Sequence, residues 1–134
     1  MERGMKDTEQ FRKGDKVRRE VLGDEFVNKS FANADDFNRE MFELSTEYCW
    51  GEVWTREGLP RKVRSIVNLA MLSALNRPHE LKLHVHGALR NGVTKEEIKE
   101  ILLQVAIYCG VPAGVDSFRN AKEAIREYEE KNPS

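Results

Sequence analysis

The stretch Pro78-His79-Glu80-Leu81-Lys82-Leu83-His84-Val85-His86-Gly87-Ala88-Leu89-Arg90-Asn91-Gly92 reads as one helix, and the fold can be worked out from its two ends. Pro78 opens it because proline's fixed φ suits a first turn, and Gly92 closes it because glycine accepts the left-handed conformation beyond a C-terminal cap. At about 100° per residue, Leu81, Val85 and Leu89 form an apolar arc. Glu80 and His84 border that arc one turn apart, while His86 faces another, mostly polar side.

Downstream, Thr94-Lys95-Glu96-Glu97 is a capping box, in which the Thr94 hydroxyl and the Glu97 carboxylate satisfy amides at the start of a new helix. Ile98, Ile101, Leu102, Val105, Ala106 and Cys109 continue it as an apolar stripe, broken at Gly110-Val111-Pro112. A last amphipathic helix is predicted from about Ala113 to Tyr128, with a short polar tail after Glu129.

Upstream, a helix is predicted from Pro60 to Leu75, apolar on nearly every side in its second half. Such a helix is either central to the core or covered by another subunit, so a homo-oligomer is expected. From Asp35, able to cap a helix as Asp36 is, Phe37, Met41, Leu44 and Tyr48 recur at helical intervals towards Cys49-Trp50. The glycine-bounded stretch Gly51–Leu59 reads as a loop associated with the chain's two tryptophans, Trp50 and Trp54. The charged segment from Lys6 to about Val21, ended by Gly23-Asp24, reads as a peripheral helix. No segment alternates as a strand does. The expectation is an all-α, single-domain bundle of about six helices over residues 1–134.

With 134 residues and 40% hydrophobic content, the chain can bury a real core. Charged residues make up 34% but nearly cancel at a net charge of -1, which argues against nucleic acid as a partner. The first residues lack the apolar region of a signal peptide, and no run reaches the ~20 apolar residues that span a bilayer, so a cytoplasmic protein without membrane partners is expected. Cys49 and Cys109 are too far apart for a redox pair and are expected to be buried as small hydrophobes. Neither a glycine-rich phosphate loop nor a serine nucleophile elbow occurs.

Chemistry then falls to a short set of residues. Glu80 and His84 are spaced either for a general acid or base at the rim of the core or for a plain intrahelical contact. Arg64 lies in an apolar helix and needs an anionic partner, from protein or substrate. Arg56 and Arg61 can bind carboxylates near the tryptophans. Trp50 and Trp54 either wall a ligand or pack a core. His86 is expected to be solvated. One helix offers two metal ligands per face, and only three histidines exist, so no metal site is assigned.

The run Trp50-Gly51-Glu52-Val53-Trp54-Thr55-Arg56-Glu57-Gly58-Leu59, with Arg64-Ser65, Glu80-Leu81-Lys82-Leu83-His84-Val85, Ala88-Leu89-Arg90-Asn91-Gly92-Val93-Thr94 and Ala106-Ile107-Tyr108-Cys109-Gly110-Val111-Pro112-Ala113, resembles the carboxymuconolactone decarboxylase family. The resemblance implies an alkylhydroperoxidase D-like helical fold and a symmetric oligomer, commonly a hexamer. Redox relatives of that type carry Cys-x-x-Cys-x-x-x-His; with their histidine at His84, the thiol positions fall on Arg77 and Glu80, which disfavours peroxidase chemistry. Family sequences often have Arg where His86 stands, and Ala113-Gly114-Val115-Asp116 departs from their usual form.

The implied activity is cofactor-independent loss of CO₂ from 4-carboxymuconolactone to give 3-oxoadipate enol-lactone, in aromatic catabolism. Arg64 would bind a carboxylate or oxyanion, and His84 would donate a proton or meet the oxyanion. Glu80 would orient His84 and repel the leaving carboxylate. Trp50, Trp54, Arg56 and His86 are the expected substrate-binding residues. The alternatives are another lactone or keto acid as substrate, or a non-redox binding protein of the same fold.

Overall fold

The computed structural model describes residues 4–133, which fall into two compact units dividing between Leu59 and Pro60. Among the described residues there are seven α-helices, one π-helical segment and no strand, in agreement with the all-α reading.

The first unit holds α1 (Glu9–Leu22), α2 (Asp24–Ala32), α3 (Arg39–Leu44) and a π-helical segment (Ser45–Val53). Helix α1 starts later than Lys6 because Thr8 caps it, its Oγ1 accepting from the Phe11 amide at 3.0 Å. Gly23, at φ +90°, ends α1 and leads into α2, which the sequence reading left unassigned. Asp35 does not cap a long helix as expected. Its carboxylate accepts from the amides of Phe37 and Asn38 in a turn, and α3 begins at Arg39.

At Ser45 the helix widens, and the π segment takes up Gly51–Val53, so the expected loop is shorter and starts after Trp54. The cause is a close crossing with α1. A Cβ on Gly14 would collide with the Thr46 carbonyl, and one on Gly51 would lie 2.6 Å from the Gln10 carbonyl. Only hydrogen at these two positions lets the backbones approach so closely. Polar anchors surround the crossing: Glu43 accepts from the Lys6 amide at 2.8 Å, and Glu47 accepts from the Thr8 hydroxyl at 2.7 Å and the Lys6 ammonium at 3.0 Å. Those two donors hold the Glu47 carboxyl below the ordinary carboxylate value. Phe11, Val27 and Phe31 form a small core with Phe42 beside it. Arg18 is buried, its guanidinium 4.7 Å from the Phe42 ring centre, and burial lowers its pKa.

The predicted apolar stripe of Phe37, Met41, Leu44 and Tyr48 is exposed in the chain, with Phe37 96% accessible.

The second unit packs α4 (Arg61–Ala74), α5 (Pro78–Arg90), α6 (Lys95–Cys109) and α7 (Val111–Lys131) around Leu69, Leu81, Val85, Ala88, Ile98, Leu102, Ala121 and Ala124. The predicted ends of α5 hold: Pro78 sits in the first turn and Gly92 takes φ +91°. The capping box also forms, with Thr94 N donating to Glu97 Oε1 at 2.9 Å and Glu97 N to Thr94 Oγ1 at 3.0 Å. Helix α7 begins two residues before Ala113 and continues past Tyr128 to Lys131. Helix α4 turns Leu69 inward and leaves Val67, Met71 and Leu75 exposed; Ile107 and Tyr108 at the end of α6 are exposed as well. Both cysteines are free and exposed, contrary to the expected burial, because Cys109 ends α6 and Cys49 lies on the outer side of the π segment. No helix is long and apolar enough to cross a membrane among the described residues.

Candidate functional site

Polar groups meet where α4 lies along α5. Ser65, fully buried, accepts from Asn91 Nδ2 at 2.9 Å, and one turn further on the Asn68 amide faces the His84 ring, Nδ2 to Nδ1, at 3.3 Å. Arg64 lies one turn before Asn68 on α4, half-buried, with its Nε fully covered. The helix pair therefore carries a guanidinium, an amide and an imidazole along one seam inside the second unit. Such a set can hold an anion and offer hydrogen-bond donors to a developing negative charge.

His84 sits at the rim of the core, as its helical position predicted, and is half-buried. Glu80 does not share that rim. It lies in the first turn of α5 and is exposed, because only Leu81 in that turn points into the core.

His86 is not solvated. Its Nε2 meets Glu127 Oε1 at 3.4 Å, and its ring lies edge-on to Tyr128, which places it in the contact between α5 and α7. Burial pushes its pKa below the ordinary imidazole value, with Arg90 and Lys131 acting in the same direction and Glu127 opposing them.

Trp50 and Trp54 belong to the first unit. Both are buried, at 3% and 5% exposure, and they stack on each other with ring centres 4.7 Å apart. Trp50 lies within the π segment and Trp54 caps its C-terminal end, with the Trp54 amide donating to the Cys49 carbonyl at 2.9 Å. Arg56 is exposed just beyond it.

Asn68 was missed from sequence. The signal was present, since it is the only polar residue between Ile66 and Leu72, and an amide among apolar helix positions needs a partner.

The described residues form an all-α bundle consistent with an alkylhydroperoxidase D-like fold, with His84 midway along α5 and Asn68 of α4 beside its ring. Residues 39–123 match the carboxymuconolactone decarboxylase family, and the chain belongs to that family. It is 42% identical over 123 residues to a 4-carboxymuconolactone decarboxylase of Acinetobacter baylyi, covering 92% of each chain. It is also 42% identical over 121 residues to a nitrosuccinic acid decarboxylase of Metarhizium robertsii, covering 90% of this chain and 85% of the relative. An uncharacterized 15.0 kDa protein of Paracoccus denitrificans is 32% identical over 88 residues, 63% of this chain and 65% of that protein.

Proposed function

We propose that this protein is a cofactor-independent decarboxylase that converts 4-carboxymuconolactone to 3-oxoadipate enol-lactone and CO₂ in aromatic catabolism. The observation that carries the reading is the likeness to the Acinetobacter enzyme along 92% of both chains. The chemistry needs no cofactor because the substrate is its own electron sink. The bond to the leaving carboxylate breaks, its electron pair moves through the ring double bond to the lactone carbonyl, and a proton then adds at the carbon beside that carbonyl.

Arg64 is assigned to a substrate carboxylate and His84 to the developing oxyanion, both on the seam between α4 and α5. Glu80, exposed one turn before His84, is kept as a residue that repels the leaving carboxylate. For Trp50, Trp54 and Arg56 the proposed roles are exclusion of water and recognition of the substrate. His86 is reassigned from substrate contact to support of α5, since Glu127 and Tyr128 already engage it.

A second substrate is favoured by a specific observation. A nitrosuccinic acid decarboxylase shares the same 42% identity as the lactone enzyme, over slightly less of each chain, and a nitro group, like the lactone carbonyl, accepts the electron pair that CO₂ leaves behind. The shared reaction is loss of a carboxylate whose electron pair passes, directly or through a double bond, to an oxygen-bearing sink.

We further propose a homo-oligomer, a hexamer or trimer, supported by the exposed apolar rows Phe37, Met41, Leu44 and Val67, Met71, Leu75. The family match crosses the boundary between the two units, which supports one functional domain. Two free, exposed thiols fit a reducing compartment, and we place the enzyme in the cytoplasm.

The test is CO₂ release from 4-carboxymuconolactone by the purified protein, with nitrosuccinate in parallel. Turnover of the lactone is expected. Turnover of nitrosuccinate alone would move the substrate, and turnover of neither would overturn the reading. His84→Ala, shown to be folded, should lower kcat about a hundredfold or more, the usual cost of losing one preorganised donor.

A further inference from the structure

His84 has two ring nitrogens, and the partner of one decides what the other can do. The partner of Nδ1 is an amide. Asn68 stands alone as a polar residue in the apolar run Ile66–Leu72, on the α4 face that meets α5, and its Nδ2 lies 3.3 Å from His84 Nδ1. Asparagine is a poor helix former, so its presence there weakens α4 unless the side chain has a task.

We propose that Asn68 is a positioning residue that holds neutral His84 with its proton on Nε2, so that His84 meets the developing oxyanion as an uncharged N–H donor. This deepens the functional reading above and rests on it.

The nature of the partner carries the argument. A carboxylate beside Nδ1 accepts a hydrogen bond from it and stabilises the imidazolium, the arrangement suited to a histidine that takes up a proton. An amide N–H aimed at Nδ1 occupies the lone pair that a second proton would need, and it brings no negative charge to stabilise a cation. Decarboxylation fits this arrangement because it needs no base: CO₂ departs and leaves its bonding electrons behind. What it needs at that moment is a fixed donor at the carbonyl oxygen, and a neutral imidazole N–H can serve. The proton that ends on the ring carbon is then drawn from water, which balances the loss of CO₂ without a change in the charge of His84. Arg64, one turn from Asn68, leaves the cationic role filled by a guanidinium.

The test uses the purified full chain labelled with ¹⁵N in its histidines, of which there are three, at a pH about two units above the ordinary imidazole pKa of ~6.5. The His84 signals are those absent from His84→Ala. The expected result is an unprotonated Nδ1 and a protonated Nε2 in the wild type, with the proton moved to Nδ1 in Asn68→Asp, whose carboxylate requires a donor. Asn68→Leu, of similar volume and suited to the apolar run, should lose the preference between tautomers. Both variants should lose about tenfold to a hundredfold in kcat, with KM changed little, as when the partner that orients a catalytic imidazole is removed.

A proton on Nδ1 in the wild type, or a tautomer that Asn68→Asp leaves unmoved, would overturn the proposal. So would a tautomer that moves while kcat does not, in a protein that His84→Ala inactivates. If His84→Ala itself keeps full turnover, the assignment of His84 fails separately, and the neutral-donor role fails with it whatever the tautomer.

Discussion

The two units are held together in opposite ways. In residues 60–133, regular α-helices present apolar side chains at intervals of three and four, and these meet in one core from Leu69 on α4 to Ile125 on α7. In residues 4–59 the decisive contact is backbone against backbone, at Gly14 and Gly51, and the groups around it are Arg18, Glu43 and Glu47. Where helical spacing stays regular, side chains build most of the core, with one close helix approach at Gly114 against Ala106. Where the helix widens, the spacing no longer lines apolar residues along one face, and close approach plus polar anchoring takes over. Phe37, Met41 and Leu44, which precede the widening, lie outside, whereas Trp50 and Trp54, in the π segment and at its end, are buried.

The largest effect that would break this contrast is loss of side-chain volume in the second unit. Leu69 is completely buried, so Leu69→Ala should cost about 2–5 kcal/mol, read from denaturant unfolding at unchanged slope. A cost below about 1 kcal/mol would mean that the α4–α7 core collapses around the gap and is not the close-packed structure described. A smaller loss is expected from adding volume to the first unit. Gly14→Ala places a methyl group against the Thr46 carbonyl, and overpacking of this kind typically costs about 1–3 kcal/mol. If Gly14→Ala is neutral while Ala106→Val, next to Gly114 in the second unit, is costly, the contrast is inverted.

How far each unit could be read from sequence follows from the same difference. Helices α5 and α6 were legible because their boundaries are set locally, by Pro78, Gly92 and the Thr94–Glu97 box, and each residue's chemistry acts within a turn of itself. The π segment was not, because nothing in Ser45–Val53 announces a change of period until α1 approaches through Gly14. Helix α2 was missed because it buries only Val27 and Phe31, too little for a periodic signal. At the site, His84 and Arg64 could be singled out as polar residues beside apolar arcs. Asn68 could not be paired with His84, because sixteen residues separate them and only the packing of α4 on α5 brings them within 3.3 Å. His86 was misread as solvated because α7 lies forty-one residues away at Glu127.

The smallest expected effect sharpens the contrast through pH. The first unit keeps its buried-edge carboxylate charged: Thr8 and Lys6 hold Glu47 low, so its contribution is complete above the ordinary value of 4.5 and is lost as pH falls through its depressed folded pKa. Glu97 in the α6 capping box behaves in the same way, so both units weaken in that acid range. The second unit alone also holds a histidine neutral. Burial depresses His86 below 6.5, reinforced by Arg90 and Lys131 and opposed by Glu127, so the unfolded chain binds a proton first as pH falls. Stability should therefore start to decline just below pH 6.5, before any of these carboxylates titrates, and the decline should level off once the folded His86 is itself protonated. In His86→Gln the slope in that window should become shallower while the slope below 4.5 remains, as read from Tm against pH. An unchanged slope near pH 6 would show that His86 is solvated after all, and the two units would then differ in packing but not in their response to acid.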